Sequence, residues 1–243
     1  MPTKRVWRRE RSAITSCVRW MLAAMLFVAC TASVQSRAPR PPTEPEIPGL
    51  PEGEPLKPGA YALVLDRYRI TLTVPAGWEG WAFGVLPTRE GPGPPAGRGI
   101  GLWIVDNIYA DPCRWDRGLL EPPPGPSADA LAAALKAQWG RYATPPTTGD
   151  LNGTPVIEMD LTVPPDIRLS DCARERGNAY FLYWPQRGGG GRYAQGPGQR
   201  EHLWILELEG ARLVVGASYF PETPASGREE LWDIAASVQV SGA

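Results

Sequence analysis

Between residues 202 and 220, two apolar runs rich in β-branched and aromatic residues flank the dipeptide Glu209-Gly210, which commits this part of the chain to an antiparallel hairpin inside a sheet. With a two-residue loop, Leu208 faces Ala211, Leu206 faces Leu213 and Trp204 faces Val215 on one side, while Glu207 meets Arg212 on the other. A three-residue loop with Gly210 in the left-handed position exchanges those faces, and the pattern leaves it open because glutamate is a poor residue for positive φ. Leu203, Ile205 and Val214 make the second face apolar as well, so both faces of the hairpin need a cover, and a helix supplies one.

The rest of the folded part reads in order around this hairpin. Gly59–Leu65 and Tyr68–Val74 form a first hairpin turning at Asp66-Arg67, with strand alternation in the second run. Residues 81–86 read as a short strand, the four prolines and four glycines of 87–99 as a loop, and 100–105 as a buried strand. Ser127 is the N-cap of a helix that carries Asp129 in its first turn, Leu131, Ala134, Leu135 and Trp139 on one stripe, and Gly140 at its end. Residues 156–163 and 179–184 read as strands, and 185–200 as a glycine-rich loop. Thr223 caps a last helix with Pro224 at its first position and Leu231, Ile234, Ala235 and Val238 on its inner face. This is an α+β domain: one antiparallel sheet of about six to eight strands, covered by a mid-chain and a C-terminal helix.

The segment ahead of the domain has a different chemistry. Residues 1–30 carry Lys4, Arg5, Arg8, Arg9, Arg11 and Arg19, then an apolar run far shorter than the roughly 20 residues of a membrane span. That is the pattern of a signal peptide. Residues 31–58 are polar and punctuated by eight prolines from Pro39 to Pro58. Such a stretch favours extended polyproline geometry and reads as a disordered tether of up to ~90 Å, leaving 59–243 as the extracytoplasmic domain. Six of the 25 basic residues lie in the first thirty, against one of the 26 acidic residues, so the remainder carries an excess of about six negative charges. With no basic run or basic-aromatic stripe left, nucleic-acid binding is not expected.

Cys113 and Cys172 are the only cysteines after the leader, and in an exported chain such a pair reads as a disulfide. A metal site is not expected, since there is no C-x-x-C and only one histidine, and no cofactor motif is present. His202 lies on the central hairpin and reads as structural rather than as part of a catalytic triad. Gly97–Gly101 and 188–192 are glycine-rich but open no helix, so they read as flexible loops rather than phosphate cradles. The remaining catalytic raw material is carboxylate: Asp106, Asp111, Asp116 and Asp171 converge if the disulfide forms, as an acid-base pair or a cation site. The alternative is that they form turns and solvated charges.

The run Phe27-Val28-Ala29-Cys30 resembles the bacterial lipoprotein box, which implies a lipid on Cys30 and anchoring at the outer face of the cytoplasmic membrane. Plain secretion, with cleavage after a small residue such as Ser36, is the other reading. The phrase Ile70-Thr-Leu-Thr-Val-Pro-Ala-Gly-Trp78, the mid-chain helix and the close on Ser237-Val-Gln-Val resemble the Mog1/PsbP-like architecture of many bacterial lipoproteins. The phrases 105–115 and 195–199 are similar to those of uncharacterised exported proteins of high-GC bacteria. That architecture implies no shared catalytic site.

The resulting expectation is a membrane-tethered binding or scaffold domain without catalytic activity, its ligand or protein partner in the cell envelope. Its surface is expected around the disulfide, from Asp106, Asn107, Tyr109, Asp111, Trp115, Gln195 and Gln199. The competing expectation is a carbohydrate-active hydrolase working through Asp106, Asp111 and Asp116.

Overall fold

The central runs pair in the two-residue register, with Leu208 opposite Ala211, Leu206 opposite Leu213, Trp204 opposite Val215 and Glu207 opposite Arg212. At the tip Gly210 takes a φ of 71° while Glu209 is spared a positive φ, which removes the objection to a two-residue loop. The Arg67 guanidinium and the Tyr68 hydroxyl both donate to the Glu209 carbonyl, tying the tip to the first hairpin.

This computed structural model describes residues 47–187 and 190–242. The signal peptide, Cys30 and the first part of the tether lie outside the described residues. Strands β1 (Gly59–Leu65) and β2 (Tyr68–Val74) form the first hairpin as expected. Strands β3 (Trp78–Trp81) and β4 (Gly84–Pro87) form a second hairpin where the sequence suggests one strand over 81–86. Its turn is hidden because Ala82 and Phe83 have none of the usual turn chemistry. Strand β5 (Arg98–Ile104) follows the proline-glycine loop, and helix α1 (Ala128–Trp139) follows a long irregular segment.

Strands β6 (Thr147–Leu151) and β7 (Thr154–Thr162) turn at Asn152-Gly153, whose φ values of 52° and 81° are the two positive angles of a type I′ turn. Two short strands, β8 (Arg174–Glu175) and β9 (Asn178–Ala179), pair with each other, and β10 (Leu182–Pro185) pairs with β11 (Gly191–Tyr193). The stretch expected as a loop over 185–200 therefore holds a strand. The central hairpin is β12 (Arg200–Leu208) and β13 (Ala211–Tyr219), followed by helix α2 (Ala225–Ala236) and strand β14 (Gln239–Gly242).

Seven strands form the main antiparallel sheet in the order β3-β4-β5-β13-β12-β7-β6, and β14 joins β2 in a three-stranded sheet, β1-β2-β14. The protein is thus an α+β domain with a mid-chain and a C-terminal helix. One face of the main sheet packs on α2 and the three-stranded sheet through Ile70, Leu72, Ile100, Leu102, Leu206, Leu213 and Leu231. The opposite face packs on α1 and the disulfide-bearing loops through Trp103, Leu131, Leu135, Leu203, Ile205 and Val214. Burying these faces is the main driving force for the arrangement, at about 25 cal/mol for each Å² of apolar surface removed from water.

The Ser127 hydroxyl accepts from the Ala130 amide at 3.1 Å at the start of α1, and Gly140 leaves the helix at a φ of 55°. The start of α2 differs from expectation. The buried Thr223 hydroxyl accepts from the Phe220 amide and donates to the Ala96 and Gly97 carbonyls, so it pins the proline-glycine loop rather than capping the helix. The packed part of the chain also begins earlier than residue 59. From residue 47 the chain lies along the first two hairpins, with Leu56 buried, the Leu50 amide donating to Ala62 at 2.8 Å and the Leu56 amide donating to Trp78 at 2.7 Å. Its scarce large apolar residues and its free backbone donors account for the docking. Among the described residues, no helix is long and apolar enough to cross a membrane.

Candidate functional site

Cys113 and Cys172 are joined by a disulfide, with Cα atoms 4.5 Å apart across 59 residues of sequence. The Ala173 amide donates to the Cys113 carbonyl and the Leu182 amide to the Pro112 carbonyl, both at 2.8 Å, so the bridge fastens two loops and one strand end together. The residues expected to form a recognition surface around it are largely committed to holding these loops. The Asn107 amide donates to the Leu120 carbonyl at 3.0 Å and its oxygen accepts from the Ile108 amide at 2.8 Å. The Trp115 indole donates to the Tyr180 carbonyl at 3.0 Å, and its ring meets Tyr109 edge-on at 6.3 Å. Both rings are half-buried, and burial, followed by the charge of Glu175, raises the Tyr109 phenol above its ordinary range.

The carboxylates do not form a shielded set. Asp111 accepts from the Cys113 and Arg114 amides, the hydrogen bonds of an aspartate turn. Asp116 lies exposed beside Arg114, and Asp171 lies exposed against Arg168. Asp106 is turned elsewhere: Arg187 grips it with two nitrogens, at 3.0 and 2.6 Å, and also reaches Asp66. Gln199 requires a correction, because it is 1% exposed and therefore not a surface residue. Its side-chain oxygen accepts from the Gln195 amide at 2.6 Å and so shapes the loop from inside. His202 Nδ1 lies 2.8 Å from Asp160, and its ring sits between Trp204 and Trp232. Among the described residues no group of three or more histidines, cysteines, aspartates or glutamates could hold a metal ion.

A cleft of about 170 Å³ lies elsewhere on the same face of the sheet. Its floor is backbone, because Gly99 pairs with Ser218 and Gly101 with Gly216, and the side chains at these positions all point toward α1's side of the sheet. Three glycines there leave the pleat bare, and the Trp103 ring folds back over Gly101 and Gly216, where a Cβ would collide with it or crowd it. Trp81, Leu86, Pro92 and Tyr193 supply the walls, and Gln195 and Ser218 bring polar groups to them.

Arg192, on β11, also lines the cleft and is almost wholly buried, its Cζ standing 5.4 Å from the Trp103 ring centre and 5.2 Å from that of Tyr183. It meets Glu201 of β12, whose side chain is 1% exposed and which occupies the alternation otherwise filled by Leu203 and Ile205. Burial lowers the Arg192 pKa and pushes the neighbouring Tyr183 phenol up to about 12. Among the described residues, Arg192 Nε and Glu201 Oε2 have no hydrogen-bond partner, nor has the buried Tyr183 hydroxyl. A buried ion pair offsets the loss of water only when further hydrogen bonds satisfy its remaining groups, so this pair is incomplete.

Of the residues expected at a site, only Gln195 reaches this cleft. The signals that point to it are a glutamate placed on an apolar alternation and the glycines at alternate strand positions, Gly99 and Gly101. Read as loop glycines, they carry no such meaning.

No protein-family model matches the sequence, and no curated protein matches it. Among solved structures, the chain is similar to a crystal structure from Bacteroides thetaiotaomicron VPI-5482 at 10% identity and a TM-score of 0.32, over 71% of this chain and 45% of that one. The match spans less than half of the neighbour's length, and a likeness at that score carries no argument about fold or function.

Proposed function

We propose that this chain is an extracytoplasmic binding domain without catalytic activity, tethered to the outer face of the cytoplasmic membrane by a lipid on Cys30. The observation that carries the reading is the cleft over Gly99, Gly101 and Ser218, an apolar recess with an incompletely satisfied charge pair at its edge. Recesses of this kind, mostly apolar with a few convergent polar groups, are where small ligands bind. The Cys113–Cys172 bond suits an oxidising compartment outside the cytoplasm, and the acidic balance of the chain after its leader disfavours nucleic acid as a partner. Hydrolysis through Asp106, Asp111 and Asp116 lacks comparable support: the first is held by Arg187, the second is committed to a turn, and the third is exposed beside Arg114.

Two measurements test the reading. In a phase-separating detergent the wild-type chain enters the detergent phase and Cys30→Ser stays in the aqueous phase or remains unprocessed; equal partitioning of the two rejects the anchor. Hydrogen exchange of the full chain, with and without a small-molecule extract of its own envelope, slows at 99–103 and 191–195 when the cleft is filled. If no segment is protected by the extract, the binding reading fails.

A further inference from the structure

We infer that the cleft accepts a single neutral sugar ring. The inference rests on the reading of the cleft as a binding site and specifies its ligand class. Size sets the first limit. An engineered apolar cavity of roughly 150 Å³ takes a benzene-sized ring, and this one, at about 170 Å³, takes one six-membered ring and little more. Its walls set the second, since Trp81, Trp103 and Tyr193 offer flat surfaces to a ring whose own face is carbon and hydrogen.

Charge sets the third limit. Glu201 already neutralises Arg192, so an anionic ligand meets a buried carboxylate beside the guanidinium, and a cationic one meets the guanidinium beside the carboxylate. Neither gains a free counter-charge. Hydrogen bonding sets the fourth. The Ser218 hydroxyl donates to the Gly99 carbonyl at 3.3 Å and keeps lone pairs to accept with, and the Gln195 side-chain amide can both donate and accept. A ligand that answers both carries donors and acceptors around its edge and no charge. A purely apolar ring satisfies the walls and gives the polar groups of Gln195 and Ser218 no partner. A pyranose combines an apolar face with a hydroxylated edge and fits both sets of demands.

The test is saturation-transfer NMR on the full chain in a zwitterionic detergent, with the methyl glycosides of glucose, galactose, mannose and N-acetylglucosamine as probes and benzoate as comparator. At least one glycoside is expected to receive saturation, with a dissociation constant on the order of 1 mM, as suits so small a ligand. Tyr193→Ala and Trp81→Ala are expected to weaken it tenfold or more, while Trp232→Ala, on α2 across the sheet, leaves it unchanged. Tyr193 is 40% exposed, so its truncation carries the test if Trp81→Ala does not fold. Failure of all four glycosides, or glycoside binding that both wall variants leave intact, overturns the inference. If the glycosides fail while benzoate binds or the envelope extract still protects 191–195, the ligand class is wrong and the binding reading stands; if the extract protects nothing, that reading falls first.

Discussion

Where β5, β12 and β13 face α2, their buried side chains are Ile100, Leu102, Ile104, Trp204, Leu206, Ala211, Leu213, Val215 and Ala217, all apolar. Where the same strands face the opposite way, Leu203, Ile205 and Val214 share the surface with Gly99, Gly101, Gly216, Ser218 and the buried Glu201 and Arg212. Apart from His202 and its partner Asp160 at the margin, the α2 side of the sheet is given to packing. The other keeps a recess and buried charges, neither of which a fold needs for stability, and a crosslink holds loops that pack elsewhere on that side. The contrast separates the face that makes the protein fold from the face that gives it something to do.

Three experiments sharpen or break that contrast. The largest effect belongs to the ion pair. Glu201→Leu alone strands a buried guanidinium and is expected to lower unfolding free energy by about 3–5 kcal/mol, whereas Arg192→Leu with Glu201→Leu is close to neutral or stabilising. Urea denaturation of both variants decides it, and a single substitution costing under about 1 kcal/mol would mean that the pair is solvated. Next comes the crosslink: the Cys113→Ser/Cys172→Ser variant loses about 2–4 kcal/mol, and its amide exchange accelerates in 106–120 and 164–181 while β2 and β14 stay protected. Uniform acceleration would show that the two faces are not separable. The smallest effect is expected at the exposed cluster, where Asp106→Asn removes a partner of Arg187 and shifts stability by less than about 1 kcal/mol. A larger loss would place that cluster among the supports of the second face.

The packing face was legible in the sequence and the recess was not, for a physical reason. Period-two alternation and the Glu207–Arg212 pair are local signals, and they locate the central hairpin and include the observed register among the two left open. The disulfide follows from the compartment and from the count of cysteines. The cleft draws Trp81, Gly99, Trp103, Arg192 and Ser218 from four separate stretches, and no periodicity links them. Local reading also misassigned residues whose side chains work at a distance. Thr223 looks like a cap and serves the loop at Ala96, and Gln199 looks like part of an open glycine loop and is buried beneath it. At Asn152-Gly153 the local signal is present, yet the reading of 156–163 as a lone strand passes over it and misses β6, which this turn joins to β7 at the sheet's edge.

The strand after α2 closes the three-stranded sheet by pairing Gln239 with Thr71 and Val240 with Ile70, residues from opposite ends of the domain. Folding therefore cannot be completed sequentially from either side: β1 and β2 can meet early, but their third neighbour arrives only after every other element has been made. Contacts that span most of the chain are slow to form because loop-closure entropy must be overcome before they bring any gain. A long interval in a partly assembled, pliable state is the kinetic signature expected of this topology, whatever the final stability of its core.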